Sequence, residues 1–249
     1  MEPKPTQTLR REFLGSITSV ALALLVVTGC RTIAFQPFTI PSSSMSPQLL
    51  TGDYIVVSKF AYGWSTASLP FGRPQGTNRF MFRSPERGDV VVFRLPRDPA
   101  QTWIKRVIGL PGDTVQMSNG TLFINHQPVP QISQGITQDQ DNPARVVEAI
   151  QEQLGNGHPY TTYDGGPGLP GDNTAPIHVP AGHYLVMGDN RDNSLDGRWP
   201  AASGVGLLPA SHIVGRAEVV TWSWKPGASL FKPWTWGNLR GDRFFIPIH

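Results

Sequence analysis

Trp103-Ile-Lys-Arg-Val-Ile-Gly-Leu-Pro-Gly-Asp113 joins a strand pattern directly to a turn pattern. Its first part is rich in β-branched and aromatic residues, which favours a β-strand, and Pro111-Gly112-Asp113 predicts the turn that ends it. Upstream, Arg87-Gly88-Asp89 predicts a turn that leads into a second apolar run, Val90 to Leu95. Two such runs bounded by turns are typical of antiparallel sheet.

Similar patterns recur along much of the chain. Thr114 to Pro128 alternates around Asn119-Gly120, the dipeptide most typical of a tight hairpin turn. Further strands are predicted at Ile33 to Ile40, Leu49 to Phe60, His183 to Met187 and Ile213 to Trp224. Because 24 prolines and 26 glycines also argue against a helical bundle, the predicted fold class is mainly β. A chain of 249 residues is long enough for one large core with an insertion.

The composition changes between residues 129 and 180, where Gln, Asp, Gly, Asn and Pro dominate. We interpret residues 129–180 as a variable, β-rich insertion in an all-β body formed by residues 32–128 and 181–249. Within it, the pattern from Ala144 to Leu154 predicts a helix.

The longest apolar run lies near the N-terminus, where Phe13 to Cys30 carries no charge. As a helix it would be about 27 Å long, which is close to the thickness of a bilayer core. We therefore predict a transmembrane helix over residues 13–31. Lys4, Arg10 and Arg11 precede it, so the positive-inside tendency places residues 1–12 in the cytoplasm and the β body outside.

Two other readings of this segment remain open. Arg10-Arg-Glu-Phe-Leu14 resembles a twin-arginine export signal, and Val26-Val-Thr-Gly-Cys30 resembles a lipoprotein cleavage box. Either would make the segment a removable signal, with Cys30 lipidated in the second case. In all three interpretations the β body is exported from the cytoplasm.

Charge and cysteine content exclude several other classes of function. The net charge is only +3, and no lysine and arginine cluster is long enough for a nucleic-acid surface. A single cysteine, Cys30, permits no internal disulfide and no thiolate-rich zinc site. We predict no metal and no cofactor.

Three serines, Ser42 to Ser44, follow the apolar segment by about a dozen residues. A serine needs a base to become a nucleophile, and histidine is the usual one. Here no histidine stands in a motif with a serine or a carboxylate; the six are His126, His158, His178, His183, His212 and His249. Lys105 is an alternative base because burial among apolar residues can lower the pKa of a lysine by several units. Alternatively, Lys105 lies in an edge strand and its amine extends into solvent.

Met187 to Arg198 is the third unusual segment, since it groups arginines and aspartates around Ser194. It is either a solvated turn or a set of ion pairs and a hydroxyl that support the lysine. Asp189, Asp192 and Asp196 could also suggest a calcium loop, but the spacing lacks the twelve-residue pattern with its final glutamate.

Taken in order, these segments resemble those of bacterial type I signal peptidases, which act through a serine and a lysine. Pro41-Ser-Ser-Ser-Met-Ser-Pro-Gln-Leu49 is similar to the nucleophile box of that family, and residues 87–93 and 105–113 to its strand and base box. Residues 59–63 and 188–198 match two further shared stretches. The chain departs from the common pattern at Ser43, often glycine, and at Gln48, often threonine.

The resemblance implies a mechanism and a role for each residue. Ser44, the serine before methionine, would attack the substrate, with neutral Lys105 as its base. Ser42 would donate to the oxyanion, and Ser194 would hydrogen-bond the lysine amine. The resemblance also implies ion pairs around the lysine that involve Arg106, Asp189, Asp196 and Arg198. The role of Ser43 stays open.

The same resemblance implies the substrate and the location. The enzyme would be a membrane-bound serine endopeptidase that cleaves signal peptides from exported preproteins after small residues. It would sit in the bacterial cytoplasmic membrane with its β body on the outer side, in contact with lipid and without nucleic acid. By position in the boxes, the substrate pocket is predicted to be formed by Ile40, Met45, Leu49, Trp103 and Ile104.

Other interpretations are kept as alternatives. An exported, lipid-anchored β binding protein would use the serines as a loop and Asp189 to Asp196 as a ligand turn. Ser229-x-x-Lys232 matches a penicillin-binding motif, but without its partner motifs. The tryptophans at 222, 224, 234 and 236 indicate either a bilayer interface or a tryptophan-rich core.

Overall fold

The computed structural model describes residues 15–23, 27, 29, 34–69, 72–74, 76, 79–155, 157–225, 227–228 and 232–249. The described body is built from three antiparallel sheets, as the mainly β prediction requires. The largest has eight strands in the order β1-β2-β14-β3-β4-β12-β13, with β15 added beside β14. Its strands are β1 (Phe35–Thr39), β2 (Asp53–Ser58), β3 (Val90–Leu95), β4 (Asp98–Gly109), β12 (His183–Met187), β13 (Leu208–Pro209), β14 (Ile213–Ser223) and β15 (Ile246–Pro247).

Two smaller sheets complete the body. The first has the order β11-β5-β6-β7, and the second the order β10-β9-β8. Their strands are β5 (Thr114–Ser118), β6 (Thr121–Ile124), β7 (Gln127–Pro128), β8 (Gln131–Gln138), β9 (Val146–Glu152), β10 (Tyr160–Asp164) and β11 (Ile177–His178). Among the described residues, six short 3₁₀ helices connect strands, at Ser43–Met45, Phe60–Tyr62, Thr66–Ser68, Arg191–Asn193, Ala210–His212 and Pro233–Asn238.

The centre of the large sheet is buried on both faces, which explains why its strands are almost continuously apolar. Successive residues of a strand point to opposite faces, and β3 follows this rule. Val90 and Val92 enter one hydrophobic cluster, while Val91 and Phe93 enter another. Strand β4 is therefore held in a rigid and dry setting at its C-terminal half, where Lys105 lies.

Several strand predictions are confirmed, because local turn chemistry specified them. Strands β3 and β12 have the predicted bounds. Asn119 and Gly120 both adopt positive φ angles, of 48° and 75°, as a two-residue hairpin turn of this kind requires.

The predicted helix from Ala144 to Leu154 is wrong, since residues Val146–Glu152 form strand β9. Glu, Ala and Gln favour a helix in isolation, but β9 pairs with β8 on one side and β10 on the other. Hydrogen bonding of β9 to strands on both sides outweighs the intrinsic preference of its residues for a helix.

At the N-terminus, residues 15–23 are helical and exposed. Within the described part of the chain, no helix is both long and apolar enough to span a bilayer. The predicted span 13–31 is only partly described, and residues 1–12 and Cys30 lie outside the described residues, so the anchor stays a prediction.

Two strand edges are left open beside each other. Strand β4 pairs with β3 at Asp98 and from Thr102 to Arg106, whereas among the described residues β12 pairs with β4 only from Arg106 onward. Strand β1 pairs with β2 alone among the described strands. The open edges of β1 and of the first half of β4 line a common cavity, described below.

Candidate active site

The predicted nucleophile, Ser44, lies in the short 3₁₀ helix Ser43–Met45, which the extended residue Ser42 precedes. We call residues 42–46 the nucleophile turn. Met45 is fully buried and fixes the turn to the core. Ser44 is 9% exposed, so its hydroxyl lies at the wall of the protein next to solvent. Ser42 is exposed, and its side chain makes no capping bond to the turn.

Lys105 meets this turn from the end of the open half of β4. Its Nζ lies 2.6 Å from Ser44 Oγ, and it donates to the Ile104 carbonyl at 2.9 Å. The lysine is 3% exposed. The two residues predicted as nucleophile and base are therefore in direct hydrogen-bond contact.

Burial lowers the pKa of Lys105 to about 8. The nearby carboxylates of Asp196 and Asp189 oppose this shift, while Arg198 supports it. A lysine with this pKa has a substantial neutral fraction in mildly alkaline solution, and only the neutral amine can accept a proton from a serine.

Two buried ion pairs limit how strongly those carboxylates favour the charged lysine. Arg106 holds Asp189 through two bonds of 2.8 and 2.7 Å, with both side chains 1% exposed. Arg198 binds Asp196 at 2.9 Å, and Asp196 also accepts from the Gly188 N–H. Because each carboxylate already has an arginine partner, the lysine is not its main counter-charge.

Ser194 lies in the same cavity but does not make the predicted hydrogen bond. Its hydroxyl oxygen is buried and has no hydrogen-bond partner among the described residues. A β-carbon at Gly188 would lie 2.3 Å from Ser194 Oγ and 2.5 Å from the Ser44 carbonyl oxygen. Only glycine at this position allows the segment that carries Ser194 to approach the nucleophile turn this closely.

Ser43 is turned to a different partner from Ser44. The Ser43 hydroxyl accepts a hydrogen bond of 2.7 Å from the Asn193 side chain, whereas Lys105 Nζ contacts the Ser44 hydroxyl. The two adjacent hydroxyls thus have different partners, and the partner of Ser43, whose role the sequence left open, is Asn193.

A cavity of about 700 Å³ opens in front of the serine and lysine. Its wall is formed by parts of the nucleophile turn, of β4 and of the loop after β12; the residues are Pro41, Ser42, Ser44, Gln101, Thr102, Trp103, Ile104, Lys105, Asp192, Asn193, Ser194, Leu195 and Trp199. Next to it lies a small cavity of about 30 Å³, formed by Phe38, Thr39, Ile40, Pro41, Ile55, Val92, Thr102, Trp103 and Ile104.

The predicted pocket residues divide into two groups. Ile40, Trp103 and Ile104 line these cavities. Met45 and Leu49 are fully buried in the hydrophobic core and line neither cavity. The structure places these two in the core that supports the nucleophile turn, away from any surface that a substrate could reach.

The calcium interpretation gains no support from the geometry. Asp189 and Asp196 are both engaged by arginines. One group of carboxylates in the described part has its ligand oxygens within 4.8 Å of one another, namely Asp164, Asp172 and Asp192. Each of these accepts a backbone N–H from a nearby turn, so they serve the loop structure.

Sequence reasoning missed several residues that contact the nucleophile turn. Asn190 donates to the carbonyls of Ser43 and Ser44, and Asp141 accepts from Ser46. Asn190 stands inside the segment that the sequence singled out, so it could have been found. Asp141 lies in the polar 129–180 segment, which gave no local signal of a contact with the site.

The chain is similar in sequence to known proteins of one family. The family model described as signal peptidase, peptidase S26, matches residues 13–222. Signal peptidase I of Rickettsia typhi (strain ATCC VR-144 / Wilmington) is 35% identical over 230 residues, which cover 89% of this chain and 83% of that protein. Signal peptidase I of Rickettsia prowazekii (strain Madrid E) is 36% identical over 227 residues, or 88% of this chain and 82% of the relative.

A crystal structure of a signal peptidase I from Enterococcus faecalis V583 covers 54% of this chain and 97% of its own, at 28% identity. The TM-score is 0.32, too low for a comparison of folds. The family assignment rests on the sequence matches, which extend over most of the chain and of its relatives. The chain therefore belongs to the signal peptidase family, peptidase S26, and is a hydrolase of peptide bonds.

Proposed function

We propose that the chain is a membrane-bound serine endopeptidase that cleaves signal peptides from exported preproteins, with Ser44 as nucleophile and Lys105 as general base. The observation that carries this proposal is the 2.6 Å distance between Lys105 Nζ and Ser44 Oγ. That distance is within the range in which a proton can pass from a hydroxyl to an amine. A lysine can replace histidine here because its burial lowers its pKa to about 8.

The chemistry proceeds through an acyl-enzyme. Ser44 gives its proton to neutral Lys105 as its oxygen forms a bond to the scissile carbonyl carbon. The resulting ammonium then protonates the leaving amine as the C–N bond breaks. In the second half, water gives a proton to the same amine and attacks the ester, which releases the acid product and restores the Ser44 hydroxyl.

The oxyanion of each tetrahedral intermediate needs hydrogen-bond donors. We assign this role to the Ser42 hydroxyl and the Ser44 backbone N–H. The Ser42 side chain is exposed at the cavity and is not used to cap the turn. The Ser44 N–H lies in the first turn of a helix, where N–H groups have no partner within the helix. Loss of one such donor typically raises the barrier by about 3 kcal/mol.

Ser194 is assigned to orient the lysine amine once a substrate has closed the site. Its buried hydroxyl has no hydrogen-bond partner in the described structure and lines the same cavity as Lys105. A buried hydroxyl without a partner is unfavourable, so a small movement that joins it to the amine would be stabilising.

The substrate would bind as an added strand between the open edges of β1 and β4. Backbone pairing to an open edge gives affinity, and alternate side chains enter pockets that give specificity. The small cavity beside Ile40 and Ile104 holds about 30 Å³, which suits a small side chain only. This supports cleavage after small residues.

Contact with lipid is proposed for the aromatic C-terminal region. Trp222 and Trp224 both pack on Tyr54, and of the two tryptophans Trp224 is buried while Trp222 is half-buried. In contrast, Trp234 is 79% exposed and Phe245 74%. Exposed tryptophan and phenylalanine favour the headgroup region of a bilayer. The predicted span 13–31 would hold the body against the same membrane.

Replacing Ser44 or Lys105 by alanine should lower preprotein cleavage by roughly 10⁴-fold or more, because each change removes one half of the reacting pair. Ser43→Ala is the matched control and should stay within about threefold of wild type, since a solvent-side hydroxyl contributes little. Cleavage is measured with a preprotein and purified enzyme. Equal loss in Ser43→Ala and Ser44→Ala would contradict the assignment, and wild-type cleavage by Ser44→Ala would exclude Ser44 as the nucleophile.

The pH profile of kcat/KM should rise with pH and level off above an apparent pKa near 8, which is the pKa of Lys105. Below this pH the amine is protonated and cannot accept a proton, so the rate falls about tenfold per pH unit. The measurement is peptide cleavage between pH 6 and 10. A rising limb that persists unchanged in the residual activity of Lys105→Ala would exclude this lysine as the titrating base.

Ile104→Ala and Ile40→Ala should broaden the preference for small residues before the scissile bond, because each substitution enlarges the small cavity. The expected readout is a rise in the relative kcat/KM for valine over alanine peptides, by about tenfold per added methylene that finds space. Met45→Leu, in the core, is the control. Unchanged relative rates in both cavity variants would remove these residues from the substrate pocket.

A protein that lacks residues 1–31 should still bind vesicles that contain anionic lipid, through its exposed aromatic residues. Trp234→Ser with Phe245→Ser should weaken binding by about tenfold or more, since each large apolar side chain contributes more than about 1 kcal/mol when buried. Vesicle sedimentation measures this. Equal binding of the two proteins would rule out the aromatic interface.

A further inference from the structure

The loop between β8 and β9, residues 139–145, lies against the nucleophile turn, although it belongs to the segment that sequence composition marked as a variable insertion. We call it the clamp loop. Asp139 is 1% exposed, although aspartate is rarely buried without a partner. Its main partner outside the loop is the Asn190 side chain, at 2.9 Å.

Asn190 stands at the centre of this contact and is itself fully buried. Its backbone N–H donates to the Ser44 carbonyl at 3.2 Å, and its side-chain Nδ2 donates to the Ser43 carbonyl at 3.2 Å. These two bonds hold consecutive carbonyls of the nucleophile turn. Any rotation of the turn that moves Ser44 Oγ away from Lys105 must break at least one of them.

The clamp loop determines which way the Asn190 amide points. Arg145 donates to Asn190 Oδ1 at 2.9 Å, while Asp139 accepts from Nδ2 at 2.9 Å. A cation on one side and an anion on the other fix the amide so that its NH₂ group faces the nucleophile turn. With the amide reversed, an oxygen would face the Ser43 carbonyl.

A second carboxylate of the clamp loop holds the chain that leaves the nucleophile turn. Asp141 Oδ2 accepts from the Ser46 hydroxyl at 3.1 Å and from the Thr51 N–H at 2.8 Å. Asp139 therefore acts on the carbonyls of the turn through Asn190, whereas Asp141 binds the downstream end of the turn directly.

Other residues of the 129–180 segment also bind the loop after β12, which carries Asn190. The Tyr163 N–H donates to the Asp189 carbonyl at 2.8 Å, and Glu152 forms a buried ion pair with Arg191. Asp192 accepts from the Gly165 N–H at 2.7 Å. Each residue from 189 to 192 thus has a bond from the 129–180 segment, so this segment acts as a scaffold for the site.

We propose that Asp139, Arg145 and Asn190 are positioning residues, which keep Ser44 within hydrogen-bond distance of Lys105 by fixing the donors to the Ser43 and Ser44 carbonyls. This inference rests on the proposed function, because it assigns these residues an effect on the reaction of Ser44.

The test exchanges the partners of one hydrogen bond. Asn190→Asp removes the donor to Ser43 and places two carboxylates side by side, so both the unfolding temperature and the single-turnover cleavage rate should fall. Asn190→Asp with Asp139→Asn restores a bond between residues 139 and 190 in the opposite direction, but the Ser43 carbonyl still lacks its donor. We expect this double variant to recover its unfolding temperature and to stay about 10²-fold slow, the usual effect of a small misplacement of a reacting group.

Two further variants guard against a general loss of structure. Arg145 is a quarter exposed, so Arg145→Met should fold, yet it should slow cleavage because the Asn190 amide loses its orienting cation. Glu148→Gln, on the exposed side of the same hairpin, is the control and should cleave at the wild-type rate. In every slow variant the single-turnover rate should fall while KM is unchanged, since residues 139, 145 and 190 do not line the substrate cavity.

The outcomes separate the two proposals. If wild type cleaves and the double variant recovers its rate together with its stability, the contact is only structural and this inference is overturned. A wild-type rate in Arg145→Met would overturn it as well. If wild type and Ser44→Ala are equally inactive on preproteins, the proposed function fails first, and this inference fails with it.

Discussion

The site depends on one hydrogen bond, between a serine and a lysine that has lost its contact with water. The pKa of Lys105 falls to about 8 because its amine is buried, and its approach to Ser44 is useful only while that burial lasts. Removing an ammonium group from water is costly, so the surrounding structure must be rigid and closed. The doubly buried β4 and the paired arginines and aspartates provide this setting.

Electrostatic neutralisation and precise placement come from different parts of the chain. The large sheet supplies Lys105 and Arg106 on consecutive positions of β4, and the loop after β12 supplies Asp189, which pairs with Arg106, and the ion pair of Asp196 with Arg198. The clamp loop supplies the groups that fix the Asn190 amide. In the proposed mechanism, a change in the first group would alter the proton affinity of Lys105, whereas a change in the second would alter the distance over which the proton moves.

Local sequence signals predicted the strands and turns well, because a turn such as Asn119-Gly120 depends on its own residues alone. The pairing of Ser44 with Lys105 could be inferred only by resemblance, since nothing local links positions 61 residues apart. The helix predicted over Ala144 to Leu154 was wrong for the same reason, because its neighbours in β8 and β10 decide its state. The contacts of Asp139 with Asn190 span 51 residues and have no signature in the sequence.

These long separations also govern when the protein can become a protease. The Asn190 side chain reaches a carbonyl 147 positions upstream, so the nucleophile turn is completed only after most of the chain has folded. Contacts between distant positions are slow to form, because the intervening chain must first be ordered. An incompletely folded chain carries an inert serine and a fully charged lysine. With Ser44 and Lys105 as the reacting pair, folding would therefore serve as the activation step, because the two residues meet only in the folded chain.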